Sequence, residues 1–370
     1  MSTTTTPAPV IPPTMRAWTY TRRGPAKDVL HLTPDHPVPH LSPNTPNILI
    51  RITHASLTPS IGRLLPHLPF LPRPNGPRPS IPELSFTGTI AAATPLTPAH
   101  LSTPGTRVFG MLPPTAHFLH GAGTLAQYVV APPGAVGVCP AGLSAEHAAG
   151  LDGNGQTALL MCRRAGVGGG SRVFVHGATG GVGTVAVQVA KAALGAREVV
   201  ATGSGEEGFA LAKGLGADRV VDHRECGGGG GGVAGWLAAE YGGEGDGGKF
   251  DAVLDCVGTQ VLFERSPGFL KEGGVFVSVG AMEGMAATLF WNVPVNYWWP
   301  RALGGTPRKY IFQQTPMTTE RREELIKLVQ EGKLKKAVDN VFDMENVLGA
   351  YDRMLSQRAK GKIVVKVQDG

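Results

Sequence analysis

Cysteine is scarce in this chain: four residues in 370, at 139, 162, 226 and 256, with no C-x-x-C spacing. That excludes a disulfide framework and a structural zinc ribbon, and it suits a reducing compartment. Apolar runs of the ~18 residues that a membrane helix needs are also missing, so no transmembrane segment is expected. Charge of one sign is not concentrated anywhere. The net charge is +6, and Lys and Arg lie singly or in pairs among acids, which argues against a nucleic-acid surface. Residues 1–14 are rich in Thr and Pro, with neither the arginine of a transit peptide nor the apolar core of a secretory signal; they read as a disordered tail.

Glycine and proline, by contrast, are plentiful and unevenly placed. Prolines crowd the first ~115 residues and glycines crowd 166 to 248, so the two regions are built differently. Within the glycine-rich region one stretch organises the rest, Val173-Phe-Val-His-Gly-Ala-Thr-Gly-Gly-Val-Gly-Thr-Val-Ala-Val-Gln-Val-Ala-Lys191. Arg172 to His176 reads as a buried parallel strand. Gly177, Gly180, Gly181 and Gly183 break it, and Val182, Val185, Val189 and Ala190 recur at helical spacing with no proline or glycine between 183 and 195. A strand, a glycine turn and a helix in this order form a dinucleotide-binding βα unit: the glycines admit a pyrophosphate, and the helix start offers N–H groups and a positive dipole end.

Around this unit the chain divides. Before it, Met15–Tyr20, Asn47–His54, Ser85–Ile90, Arg107–Gly110 and Thr124–Val130 read as short strands of a small β-barrel-like domain, interrupted by a proline-rich excursion over 59–82. Segments 145–149 and 156–164 read as two helices. After the unit, strands at 198–201, 219–222, 251–255 and 274–279 alternate with helices at 206–214 and 233–241, the pattern of a doubly wound parallel sheet. Residues 227–248, with a six-glycine tract, read as a flexible surface expansion. Helices over 318–332 and 344–355 and an alternating strand Lys362–Val367 close the chain.

Six motifs in this order carry a resemblance. They are Met15-Arg-Ala-Trp, Gly105-Thr-Arg-Val-Phe-Gly110, Gly123-Thr-Leu-Ala-Gln-Tyr-Val-Val130, His176-Gly-Ala-Thr-Gly-Gly-Val-Gly183, Leu215-Gly-Ala-Asp-Arg-Val-Val-Asp222 and Gly361-Lys-Ile-Val-Val365. From Met15 onward the chain resembles the zinc-independent quinone oxidoreductase branch of the medium-chain dehydrogenase/reductases, of the zeta-crystallin and reticulon-4-interacting protein type, in a fungal-like form. The resemblance implies a Rossmann α/β domain, a doubly wound parallel sheet, inserted in a GroES-like β-barrel domain. The expected division is 1–14 tail, 15–141 and 319–370 GroES-like, and 142–318 NAD(P)-binding. It also implies hydride transfer from a nicotinamide to a quinone or an α,β-unsaturated carbonyl. A pathway-specific enoyl reductase and a low-turnover nucleotide-binding scaffold are the alternatives. A homodimer through an edge strand at 309–313 and a cytoplasmic address, with mitochondria as the alternative, complete the expectation.

The same resemblance implies the site residues. Gly177, Ala178, Thr179, Gly180, Gly181, Val182 and Gly183 should cradle the pyrophosphate. Thr157, Val279, Gly280 and Ala281 should flank the nicotinamide, with Cys256 and Gly258 near its ribose. An NAD enzyme places an acid after the second sheet strand, but Gly203 and Ser204 stand there, followed by His223 and Arg224 after the next strand. NADPH is therefore expected over NADH. Where zinc-dependent relatives carry ligands, this chain reads Ala55-Ser-Leu-Thr-Pro59 and Ser85-Phe-Thr-Gly88, so no metal is expected. The family's Asn-Pro-x-Asp segment reads Thr58-Pro-Ser-Ile61, which leaves Ser56 and Thr58 as the substrate or nicotinamide contacts and no obvious proton donor. Three of the five tryptophans lie in 290–300, where stacking on a planar substrate, core packing, a subunit contact or a membrane patch are all open.

Overall fold

A computed structural model gives the protein's structure and describes residues 10–66, 79–226, 232–243 and 245–370. Residues 1–9 of the expected tail, 67–78 of the proline-rich excursion and 227–231 of the glycine tract lie outside it. The chain forms two units, one from Met1–Gly153, Met317–Lys327 and Val338–Gly370, the other from Asn154–Pro316 and Leu328–Ala337. Strands are numbered in chain order: β1 Thr14–Thr19, β2 His31–Pro37, β3 Ile48–Ser56, β4 Ser85–Ala93, β5 Arg107–Met111, β6 Tyr128–Ala131 and β7 Val136–Val138. Then follow β8 Arg172–His176, β9 Glu198–Gly203, β10 Arg219–Asp222, β11 Phe250–Asp255, β12 Leu270–Ser278, β13 Lys309–Phe312, β14 Val338–Asp343 and β15 Lys362–Lys366.

In the first unit β1 and β2 pair as an antiparallel ribbon, and seven strands form a sheet in the order β14-β15-β3-β4-β5-β7, with β6 also on β3. Only β14 and β15 run parallel. Alternation in β3 and β4 buries Ile48, Ile50, Ile52, Phe86 and Ile90 in one core with Met344, Val347 and Tyr351, so residues from the two chain ends close a single hydrophobic cluster.

The second unit is a six-stranded parallel sheet in the order β10-β9-β8-β11-β12-β13. Reading these strands 3-2-1-4-5-6, this is the Rossmann order, whose switch point lies between β8 and β11. Val173, Phe174 and Val175 of β8 are fully buried, as a strand covered on both faces demands. Phe174, Phe250, Phe263, Phe276 and Tyr310 share one cluster. β13 lies at an edge, as the strand expected at 309–313.

One expectation is corrected and two are refined. Segments 145–149 and 156–164 are one helix, Ala145–Arg164. Two of its three glycines are kept for space rather than for a break: a Cβ on Gly150 would lie 2.7 Å from Lys362 Cγ, and one on Gly153 2.7 Å from Met111 Sδ, so packing overrides low propensity. The helix after the glycine turn runs Gly181–Gln188 and widens into a π-helical turn at Val189–Ala193. Core packing does not account for the aromatic segment. It is helical, and Phe290, Trp291 and Trp298 are at least 70% exposed on the single chain.

Candidate active site

The glycine turn is built by contacts that only glycine permits. Gly177 follows β8 with φ +75°, and its N–H donates to Thr202 Oγ1 at 2.8 Å, pinning the turn to β9. Gly180 N–H donates to the Gly177 carbonyl at 3.1 Å, and Gly180 caps the helix Gly181–Gln188. A Cβ on Gly183 would fall on the Gly177 carbonyl oxygen and come within 2.7 Å of Ala178 Cα, so helix and strand touch here at backbone level. On the outer side the turn is clear, since a Cβ on Gly180 would meet only the Gly177 oxygen, at 3.4 Å. Ala178 is buried, while Thr179, Gly181 and Val182 are half-buried. The first helical turn leaves N–H groups without intrahelical acceptors at the positive end of the dipole. This cradle fits the pyrophosphate of a dinucleotide.

Gly203 ends β9, and Ser204 caps the helix Gly205–Gly214. His223 Nδ1 lies 3.0 Å from the Gly203 carbonyl oxygen. Arg224 is not a lone cation beside this turn. Its Nε and Nη2 grip the two oxygens of Asp222 at 3.0 and 2.6 Å, and Asp222 Oδ2 also accepts from Gly205 N–H at 3.2 Å. The Arg224 guanidinium holds the Asp222 carboxyl well below the usual carboxylate range. Sequence reasoning found no acid after β9, yet β10 delivers one to the same turn. The Asp222-x-Arg224 spacing at a strand end was the available signal.

Asp255, also missed, organises the other loops of this unit. It is 1% exposed. Its Oδ1 accepts from the N–H groups of Val257 at 3.0 Å and Gly258 at 2.9 Å and lies 3.0 Å from His176 Nδ1; Oδ2 accepts from Ser278 Oγ at 3.2 Å. One carboxylate thus ties together the ends of β8, β11 and β12. Gly258 has φ +82°, and a Cβ there would lie 2.6 Å from Ala281 N, while one on Gly280 would strike the Val257 backbone. Val279 N–H donates to the Asp255 carbonyl at 3.0 Å. Gly258, Val279, Gly280 and Ala281 are therefore brought together. A small cleft lined by Asp255, Gly258, Gln260, Ser278, Gly280 and Tyr310 adjoins them. Thr157 is held at the same sheet end, because Gln313 Nε2 donates to its carbonyl at 2.9 Å while Gln313 N–H donates to Ser278 O. Burial pushes the Cys256 thiol up, so it is a packed thiol and not a poised nucleophile.

In the first unit, Thr58 is half-buried before the short helix Pro59–Leu64. Its N–H donates to Glu83 Oε2 at 2.8 Å. Ser56 is fully buried and its hydroxyl has no hydrogen-bond partner. Among the described residues no group of three or more His, Cys, Asp or Glu is placed to hold a metal ion, and no helix is long and apolar enough to cross a membrane.

The family model described as zinc-binding dehydrogenase matches residues 181–301, which include the second part of the glycine turn. Over 382 residues the chain is 34% identical to the medium chain reductase pydE of an Acremonium species, covering 96% of this chain and 99% of that protein. It is 31% identical to the trans-enoyl reductase poxH of Penicillium oxalicum over the full length of both. Among solved structures, the quinone oxidoreductase of Coxiella burnetii superposes with a TM-score of 0.76 at 27% identity, covering 96% of this chain and 99% of that one. With the Rossmann strand order, the glycine cradle and full-length relatives of this kind together, the chain belongs to the medium-chain dehydrogenase/reductase family and is an oxidoreductase.

Proposed function

We propose that this protein reduces the carbon–carbon double bond of an α,β-unsaturated carbonyl with NADPH and without a metal. The observation that carries the reading is the turn from Gly177 to Gly183, where backbone contact at Gly183 and a clear outer face at Gly180 leave an open cradle at a helix start. The names of the fungal relatives favour an enoyl substrate over a quinone, which stands as the second reading because of the structural likeness to a quinone oxidoreductase. When bound, the nicotinamide supplies the hydride. The protein's own residues bind and orient. Gly177 to Gly183 hold the pyrophosphate, and Gly203, Ser204, His223 and Arg224 the ribose 2'-phosphate. Cys256 and Gly258 border the nicotinamide ribose, and Thr157, Val279, Gly280 and Ala281 fix the ring; Thr58 and Ser56 are the candidate substrate contacts. The proposal extends to a cytoplasmic homodimer paired through β13.

Fluorescence titration with NADPH and NADH, followed by turnover against enones and 9,10-phenanthrenequinone, tests this. Saturable binding with NADPH the tighter, and steady enone turnover, is expected. Binding without turnover of any acceptor would favour a scaffold, and no binding of either nucleotide would refute the reading.

A further inference from the structure

Glu83 is held in a place that a carboxylate rarely occupies. Two non-glycine residues among those described have positive φ, Gln357 at +61°, which is exposed, and Glu83 at +67°, which is fully buried. A glutamate in the left-handed region is strained where glycine would be relaxed. Around it the first unit supplies a closed set of partners. Oε1 accepts from Tyr351 Oη at 2.7 Å and Oε2 from Thr58 N–H at 2.8 Å, and the Thr58 side chain also acts on the carboxyl. Lys362, 8% exposed, acts on it electrostatically, and Gly150 lacks a Cβ where the Lys362 stem passes. Beyond Tyr351 lie Tyr20 and, at 2.9 Å from the Tyr20 hydroxyl, His117 Nε2.

We propose that Glu83 is the proton store behind Thr58, a positioning residue that reloads the Thr58 hydroxyl as it protonates the substrate. This rests on the reading above that Thr58 touches substrate. Hydride addition forms a C–H bond at the β-carbon and moves the double-bond electron pair into an enolate. The enolate α-carbon then takes the Thr58 hydroxyl proton, that O–H bond breaking as the new C–H bond forms, while the Thr58 oxygen takes the proton of the Glu83 carboxyl. The Lys362 ammonium returns a proton to Glu83, and water restores Lys362. The sum is one hydride and one proton added across the double bond. Burial pushes the Glu83 carboxyl up to about 7 and the Lys362 ammonium down to about 8, so both exchange protons near neutrality. The Tyr351 hydroxyl is pushed up by burial and by Glu83 and stays a donor.

The test uses the full chain, NADPH and 3-nonen-2-one between pH 5.5 and 9. Wild-type kcat should fall as pH rises through about 7, because the donor is the protonated carboxyl. Glu83→Gln should lower kcat roughly a hundredfold, the scale of a lost general acid, and abolish that descending limb. The isotope effect from deuterated NADPH should shrink toward unity as proton delivery limits the rate, with NADPH binding kept, and Glu83→Asp should restore part of the limb. Thr58→Val, which keeps the backbone bond to Glu83 and suits the extended conformation at 58, should reproduce the loss even if the Gln variant folds poorly. A variant pair with the limb intact, with kcat within twofold of wild type, or with kcat lowered equally at every pH and unchanged isotope effects would overturn the relay. A wild type that binds NADPH but reduces no enone would refute the reductase reading and the relay with it.

Discussion

Replacing Arg224 and Ser204 with Ala should separate the two nicotinamide cofactors. Arg224 carries five N–H donors and spends its Nε and one Nη2 donor on Asp222, which leaves three for a ligand. Its side chain is 62% exposed, and Nη2 lies 3.7 Å from where a Cβ on Gly205 would stand, so those donors sit beside the turn that would receive a ribose. A hydrogen bond to a charged group contributes about 1.5–3 kcal/mol. Exposure and competition from Asp222 limit the Arg224 contribution to roughly tenfold in Kd. A Ser204 hydroxyl bond contributes about 1 kcal/mol more, so the double variant should weaken NADPH roughly thirty- to hundredfold while NADH, lacking the phosphate, moves by less than about threefold. Fluorescence titration of both cofactors measures this. The wild-type preference should shrink in 0.5 M salt, because a screening length of about 10 Å at 0.1 M shortens severalfold toward 1 M. Asp222→Asn should shift the ratio the other way by freeing the guanidinium. Equal weakening of NADPH and NADH in the Ala variant would refute the assignment of this turn to the 2'-phosphate.

Other changes have expected outcomes of their own. Gly183→Ala forces backbone apart at Ala178 and should cost about 1–3 kcal/mol, seen as a melting temperature lower by several degrees and NADPH binding weakened at least tenfold. Asp255→Asn turns an NH2 group toward at least one of four donors; an unmatched buried donor costs about 1–3 kcal/mol, and kcat should fall more than NADPH affinity because the Gly258 and Gly280 loops lose their anchor. Arg322→Ala leaves Asp152, fully buried and paired to Arg322 Nη2 at 2.9 Å, without its cation. That should cost about 3–5 kcal/mol by urea unfolding, and Arg322→Met with Asp152→Leu should lose much less.

What could be read from the residues alone was local. β8 announced itself as a β-branched run, and the glycine turn carried its mechanism in its spacing, since the need for glycine at 183 arises from atoms only five or six residues away. The helix Ala145–Arg164 was misread for the opposite reason. Gly150 and Gly153 are explained by Lys362 and Met111, remote in sequence, and no window of twenty residues contains that fact. The same holds for the acids that matter most. Asp255, Asp222 and Glu83 look alike in the sequence, and each takes its role from partners delivered by other elements: Asp255 from His176 and Ser278, Asp222 from Gly205, and Glu83 from Tyr351, 268 residues further on.

Glu83 shows where this limit bites. The segment Ile81-Pro-Glu-Leu84 carries no local sign of left-handed backbone, and glycine would fill its conformation without strain. A strained residue persists only when its surroundings over-determine it. Here the over-determination is visible as the Tyr351 hydroxyl and the Thr58 N–H on the two carboxyl oxygens, one buried ammonium and a glycine at 150 that clears its stem's path. Had the carboxylate served packing alone, glycine would avoid both the strain and the cost of burying an acid, and an apolar residue would avoid the second. The arrangement is accounted for when the carboxyl has to change its proton.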